Sequence, residues 1–462
     1  RQWYIRNGGR DKDIREALIG RGRELRFHPD FMRVRYENWV GGLTGDWLIS
    51  RQRFFGIPFP VWYPITADGE TDYDNPILPT EDMLPIDPTA DTPPGYQADQ
   101  RGVPGGFVGD PDVMDTWATS SLTPQIACGW LADDDLWAKT YPMDLRPQGQ
   151  DIIRTWLFST VVRSHLEEDS LPWWDAAISG WILDPDRKKM SKSKGNVVTP
   201  MGLLQKHGSD GVRYWAASAR LGTDAAFEES QMKIGRRLAI KVLNASKFAL
   251  SFAGEAPSLD PTPVTQPLDR SMLAALADVV ETATAAFEAY DHTRALEVTE
   301  TFFWAFCDDY LEMVKARAYG GDDAAATASS RAALTIALDT LLRLLAPVLP
   351  FATEEVWSWW REDSIHLQAW PDAAPLRAAS VGADPAMLTV AGTSLAALRK
   401  IKSEAKVSMR TEIATATLAI PASDQELFSA ARADVLSAGR VRELDVVDGE
   451  TVEVTDAELV VD

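Results

Sequence analysis

The chain has 462 residues, 45% of them hydrophobic, and a formal net charge of -22. At roughly 100–200 residues per domain this length allows about two to four domains with ample core. The acidic balance excludes a generic nucleic-acid coat, because phosphate affinity needs local cations, so any RNA contact must come from a patch such as residues 1–53, with 12 Arg or Lys against 7 Asp or Glu. The chain opens at Arg1 without a Met, directly into a strand-like Gln2-Trp3-Tyr4-Ile5, and is expected to be a portion of a longer chain. From Arg1 to about Tyr63 basic residues mix with aromatics, ending in Gly45-Asp46-Trp47-Leu48-Ile49-Ser50-Arg51-Gln52-Arg53-Phe54-Phe55-Gly56-Ile57-Pro58. Arg51 and Arg53 beside exposed aromatics can grip a single-stranded RNA end; composition alone fits an Arg-rich structural turn equally well. Residues 64 to about 108, rich in Asp, Pro, Thr and Gly, read as a surface insertion.

Next comes Asp112-Val113-Met114-Asp115-Thr116-Trp117-Ala118-Thr119-Ser120-Ser121, in which Trp117 alone reads as a core aromatic. Met143 to Arg146 reads as a strand, Pro147-Gln148-Gly149-Gln150 as a tight loop, and Asp151 to Phe158 as the start of a helix. A Gly between strand and helix lets a ligand approach the backbone, and an Asp there can cap the helix or accept two ribose hydroxyls. Ile152 and Trp156, four apart, share one helix face. Ala176 to Leu183 reads as a buried strand. It leads into Asp184-Pro185-Asp186-Arg187-Lys188-Lys189-Met190-Ser191-Lys192-Ser193-Lys194-Gly195-Asn196, which is either a solvated charged loop or one that closes on a polyanion through its lysines, hydroxyls and backbone N–H groups. Thr199-Pro200 looks like a helix start.

Ser209 to Arg220 and Gln231 to Phe252 read as helices, and Gly254 to Pro267, full of Pro and Ser, as a connector. Apolar-periodic segments at about 269–290, 292–318, 328–346 and 350–361 form a helix-bundle pattern. Pro385 to Asp462 pairs a helix-like Ser394 to Lys406 with strand-like Ile413 to Ile420 and Val441 to Val447, a small α/β appendix without sustained heptads.

Several of these blocks resemble, in order, those of the class I aminoacyl-tRNA synthetases, in the valyl, isoleucyl and leucyl group. Lys189-Met190-Ser191-Lys192-Ser193 resembles the second class I signature, Trp47 to Pro58 the block W-x-I-S-R-Q-R-x-x-G-x-P, Gly149-Gln150-Asp151 to Trp156 the nucleotide block, and Asn244-Ala245-Ser246-Lys247-Phe248 the element leading into the anticodon domain. Phe302 to Glu312 and Leu345 to Trp357 resemble blocks of the anticodon-binding bundle, and by physics alone their aromatic stripes are core. Thr116, Thr119 and Ser120 match the valyl branch better than the isoleucyl one.

The resemblance implies α/β followed by all-α: the second half of a parallel-sheet, Rossmann-like nucleotide-binding domain (1–235), an anticodon-binding helix bundle (236–384) and a small α/β C-terminal domain (385–462). It implies a valine-tRNA ligase that activates valine with ATP and Mg²⁺ and charges tRNA(Val), a cytoplasmic protein acting as a monomer without membrane contact. Lys189 and Lys192 would serve catalysis. ATP would meet Gly149, Asp151, Gly180, Trp181, Ile182, Lys189, Met190, Ser191, Lys192 and Ser193, the adenine through the backbone at Gly180, Trp181 and Ile182. The amino-acid side chain would meet Trp117, Ile152 and Trp156, and tRNA would meet Arg51, Arg53, Asn244 and Lys247. Such a pocket excludes isoleucine by size but cannot strongly reject threonine, a case for which valyl enzymes are themselves the standard example.

The pattern departs from the family in one respect. The five histidines, His28, His165, His207, His292 and His366, never form a His-x-Gly-His tetrapeptide, the first class I signature, so the chain is expected to need an N-terminal half. Isoleucine-tRNA ligase and a non-catalytic tRNA-binding relative stay open as alternatives. Cys128 and Cys307 stand without a second thiol or His at metal-ligand spacing, so no disulfide framework and no structural zinc are expected, and a reducing setting fits. No run approaches the ~20 apolar residues of a membrane span.

Overall fold

The computed structural model describes residues 1–190, 195–252, 254 and 257–460. The chain divides into two compact units, Arg1–Ile182 with Leu221–Ala225, and Leu183–Arg220 with Ala226–Asp462. Among the described residues no helix is long and apolar enough to cross a membrane.

The first unit is built on a three-stranded parallel sheet. Helix α1 (Lys12–Glu24) starts where Asp11 accepts the amides of Asp13 and Ile14, and is followed by strand β1 (Arg26–His28) and helix α2 (Arg33–Gly41). A short helix α3 (Thr116–Ser120) precedes strand β2 (Met143–Gly149), helix α4 (Phe158–Glu168) and strand β3 (Trp173–Ser179). The order is β1-β3-β2, with Arg26 opposite Asp175 and Gly149 opposite Ser179. β3 reads Trp-Trp-Asp-Ala-Ala-Ile-Ser and is buried from Asp175 to Ile178, as expected of a parallel strand covered on both faces. Leu18, Tyr36 and Val40 pack with Leu157, Val161 and Trp173 in one core, each such burial contributing about 1.5–3 kcal/mol. Gly22 permits close packing of α1 on α2: a Cβ there would meet the Tyr36 ring at 2.4 Å.

Three local expectations for this unit change. β2 runs on through Pro147, Gln148 and Gly149, all paired with β3, where the sequence suggested a tight loop; Pro147 is tolerated because, among the described residues, β2 has a neighbour on one side only. The helix expected from Asp151 begins as a 3-10 turn (Gln150–Ile152) and a π turn (Ile153–Leu157), with regular α-helix only from Phe158. The Trp156 carbonyl accepts the hydroxyls of Ser159 (3.1 Å) and Thr160 (2.7 Å), side-chain bonds that compete with the α ladder. The buried run 176–183 is interrupted at Gly180, where a Cβ would stand 2.2 Å from the Thr223 carbonyl oxygen: segment 221–225 crosses there, so strand pairing stops.

In the second unit, helix α5 (Pro200–Ala217) starts at Thr199 with Pro at its first position, though the Thr199 side chain makes no capping bond. The helix expected from Ser209 is thus joined to an earlier segment across Gly208 (φ 76, ψ 164), a conformation that glycine alone adopts without strain. Helix α6 (Glu229–Leu250) follows, then α7 (Pro267–Glu288), α8 (His292–Ala305), α9 (Leu311–Tyr319), α10 (Ala324–Leu345) and α11 (Pro350–Trp357). The single helix expected over 292–318 is divided by a π turn at Phe306–Tyr310. Helix α12 (Ala386–Glu404) leads to strand β4 (Ile413–Ile420), helix α13 (Gln425–Gly439), and strands β5 (Val441–Asp448) and β6 (Glu453–Leu459). The sheet order is β5-β4-β6, β4 being parallel to β5 and antiparallel to β6. Buried residues of the bundle, such as Leu276, Phe306 and Leu341, share one continuous core with Leu395, Leu418 and Phe428 of this tail.

Candidate functional site

At the carboxyl end of β2, Gly149 lies beside Asp151: a Cβ on Gly149 would come 2.7 Å from Asp151 Oδ1, so a side chain there would occupy the space along the exposed carboxylate. Asp224 organises the neighbouring backbone. Its Oδ1 accepts Gln150 Nε2 at 3.0 Å and the Trp181 amide at 2.8 Å, while the Trp181 carbonyl accepts the Ala225 amide at 2.9 Å. Both backbone groups of Trp181 are therefore engaged, whereas the side chain of Ile182 is half-exposed.

A second group of residues surrounds Trp156. Asp115 caps α3 through the Trp117 amide (3.0 Å) and pairs with Arg51 Nη2 (2.8 Å). The Ser120 carbonyl at the far end of α3 accepts Trp156 Nε1 at 3.1 Å, and Arg146 of β2 lies over the indole face, 3.0 Å from the ring centroid. Burial pushes the Arg146 guanidinium down to about 10 and that of Arg163 also downward; both stay charged at neutral pH. Arg163 adds bonds to Ser121 Oγ (2.7 Å) and the Ala118 carbonyl (3.2 Å). The α3 segment carrying Trp117 and the turn carrying Ile152 and Trp156 are thus fastened together, and all three side chains are half-buried. A wall fixed at this many points can discriminate a side chain by shape.

The signature stretch is described up to Met190 and again from Gly195; Ser191, Lys192, Ser193 and Lys194 lie outside the described residues. Leu183 pairs antiparallel with Lys189 around a turn in which Arg187 takes φ 60.

The residues expected to meet RNA fall into two kinds. Arg51 is built into the protein: besides Asp115 it donates to the carbonyls of Leu48 (2.9 Å) and Ser50 (2.8 Å). Arg53 is exposed, next to Phe54 (93% exposed) and Phe55 (84%). Asn244 and Lys247 lie on the exposed side of α6, the Lys247 ammonium 5.6 Å from the Trp359 ring. Along the same helix Arg237 and Lys241 approach the Trp304 ring at 5.9 and 5.7 Å, a basic and aromatic stripe that sequence reading left unmarked. Asp224 and Arg163 were equally unmarked, because their partners lie more than forty residues away in sequence, and so was Arg146, whose ring partner Trp156 sits ten residues on, past the end of its strand. Among the described residues no cluster of three or more His, Cys, Asp or Glu could hold a metal ion.

Residues 1–228 match the family model described as tRNA synthetases class I (I, L, M and V), and residues 269–418 the anticodon-binding domain of tRNA ligase. Among curated relatives, the chain is 66% identical to a valine–tRNA ligase of Thermobifida fusca (strain YX), over 96% of this chain and 50% of that protein. It is 60% identical to one of Salinispora tropica (98% and 54%) and 61% identical to one of Leifsonia xyli subsp. xyli (99% and 53%). The chain therefore spans about half the length of the curated relatives it matches. Among solved structures, the LeuRS of Agrobacterium radiobacter K84 in a ternary complex with tRNA and LeuAMS aligns with a TM-score of 0.58 at 21% identity, covering 73% of this chain and 43% of that one, a likeness of fold.

Proposed function

The chain belongs to the class I tRNA synthetases, and from that premise we propose that it is the C-terminal portion of a valine-tRNA ligase, working with an N-terminal half that carries the other ATP-binding signature. The observation that carries the reading is the Trp156 wall, its indole held by the Ser120 carbonyl and Arg146 and fastened to the α3 segment bearing Trp117. We assign this half-buried aromatic and aliphatic surface to the branched side chain of valine. The relatives' name, valine–tRNA ligase, supports the same substrate.

In the first step the valine carboxylate attacks the α-phosphorus of ATP, the P–O bond to pyrophosphate breaks, and valyl-adenylate forms. In the second, the terminal ribose hydroxyl of tRNA(Val) attacks the valyl carbonyl, an ester forms and AMP leaves. No protein nucleophile is needed: the residues position the reactants and neutralise charge. Gly149 and Asp151 are assigned to the ATP ribose and the stretch Gly180, Trp181 and Ile182 to adenine, through side chains and shape at Trp181 because its backbone is already bonded. Lys189 and Met190, with Ser191, Lys192 and Ser193, are assigned to the phosphates; Mg²⁺ arrives with them as part of the substrate. Trp117, Ile152 and Trp156 are assigned to valine, and Arg53, Asn244 and Lys247 to tRNA, with Arg51 acting behind Asp115. Domain limits at 235 and 384, a monomeric state and a cytoplasmic location belong to this reading.

The one-sided pairing of β2, together with the buried Arg146 Nε and Gln148 Oε1 on it that lack hydrogen-bond partners among the described residues, supports a further strand joining that edge. Valine-dependent ATP–pyrophosphate exchange tests the proposal, on the chain alone and with the N-terminal half supplied. Exchange only after complementation is expected. Exchange with isoleucine but not valine would overturn the substrate, and no exchange after complementation would leave a tRNA-binding module.

A further inference from the structure

Asp184, only 7% exposed, divides its carboxylate between two partners. Oδ1 accepts the Lys188 amide at 2.7 Å, and Oδ2 accepts Asn196 Nδ2 at 2.7 Å, twelve residues further along. The backbone closes the same turn, the Asp184 amide donating to the Lys188 carbonyl and the Arg187 amide to the Asp184 carbonyl, both at 2.8 Å. Asn196 Nδ2 also reaches the Lys189 carbonyl at 3.3 Å. One buried carboxylate thus fixes Lys188, just before the signature stretch, and Asn196, where the chain returns, and Asn196 in turn holds the Lys189 carbonyl. The Asn196 amide first, and the Lys188 N–H after it, hold the Asp184 carboxyl below the usual carboxylate range. It is therefore ionised at neutral pH, and its bonds are charge-assisted, about twice as strong as neutral ones.

We propose that Asp184 and Asn196 are positioning residues for amino-acid activation, acting through the backbone at Lys189 to hold that ammonium where the phosphates of ATP reorganise. The inference rests on the assignment of Lys189 and its neighbours to phosphate binding. Neither residue touches substrate. Their effect belongs to the geometry of the transition state, where a misplacement of about 1 Å costs on the order of 10²-fold in rate.

The test uses the enzyme assembled from this chain and its N-terminal half. Asn196→Ala is expected to lower kcat of valine-dependent ATP–pyrophosphate exchange by about 10- to 100-fold, with KM for valine within about twofold of wild type, since the valine wall is untouched. Asn196→Asp, which sets two carboxylates against each other, should be worse. The exchanged pair Asp184→Asn with Asn196→Asp should recover part of the loss, because amide and carboxylate trade places and residue 184 still offers an oxygen to the Lys188 amide, while the donor to the Lys189 carbonyl is missing. Trypsin cleavage after Arg187, Lys188 or Lys189, without ligands, should be several-fold faster in Asn196→Ala and return towards wild type in the exchanged pair. Faster cleavage with unchanged kcat would overturn the positioning role, as would equal losses in kcat and thermal stability with no recovery in the exchanged pair. A wild-type assembly without exchange would instead overturn the activation reading on which the inference stands.

Discussion

Arg317 and Asp269, 48 residues apart, form a two-pronged ion pair inside the helix bundle: Nη2 meets Oδ1 at 2.8 Å and Nη1 meets Oδ2 at 2.9 Å, with Asp269 fully buried. The same guanidinium holds Asp434 of α13 through Nε (2.8 Å) and Nη2 (3.0 Å), and Tyr310 and Ser329 complete the shell around Asp269. Helices from the bundle and from the C-terminal tail therefore share one buried cation, which stays firmly protonated beside its two carboxylates.

Removing that cation leaves two carboxylates without compensation. Arg317→Met is expected to destabilise the second unit by about 3–5 kcal/mol, read as a lower midpoint in urea. Asp434→Asn should cost clearly less, because burial already pushes the Asp434 carboxyl upward.

A pH dependence follows from Glu229. The hydrogen bonds of Lys206, then of His207, lower its carboxyl to about 2 from 4.5, the His207 Nε2 contact measuring 2.7 Å. A depressed folded-state value means that the stabilisation is complete above 4.5 and is lost as pH falls from there through about 2. Unfolding midpoints measured between pH 5 and 2 should fall less steeply in Glu229→Gln than in wild type.

Trp156 carries a selectivity prediction. Trp156→Phe keeps the wall but loses the bond to Ser120, worth about 0.5–1.5 kcal/mol, and should raise KM for valine severalfold. Trp156→Ala opens the wall, and exchange with isoleucine should gain on valine by about 10-fold or more. Steady-state exchange with both amino acids measures this.

Two glycines separate backbone crossing from simple flexibility. Gly180→Ala places a methyl 2.2 Å from the Thr223 carbonyl oxygen and should lower the melting temperature by several degrees along with exchange activity. Gly202 lies within α5 with nothing within 4 Å of an added Cβ, so Gly202→Ala should be neutral or stabilising by up to about 1 kcal/mol.

Lys192→Ala should slow exchange far more than it weakens valine binding, as expected of a charge that acts in the transition state. Equal changes in kcat and in the valine dissociation constant, measured by exchange and calorimetry, would remove that lysine from the assignment.

The sequence by itself determined the helices and their core faces: the apolar period over 269–346 sets α7 to α10, because burial of one stripe is a local property repeated every 3.6 residues. It determined the family as well, through ordered blocks such as Trp47 to Pro58 and Lys189 to Ser193. Only the tertiary structure decided where those patterns break. The π turns at 153–157 and 306–310 interrupt helices whose apolar period runs on unbroken, and the end of the strand at Gly180 depends on Thr223, 43 residues away, a neighbour that no local window contains. The same reason separates residues of like type: Arg51 and Arg53 are two apart, yet Arg51 is spent on Asp115 while Arg53 stays exposed. Asp184 and Asn196 flank a motif that was legible from its lysines, but the carboxylate that ties its two ends together is a long-range hydrogen bond, and such bonds are fixed by the fold.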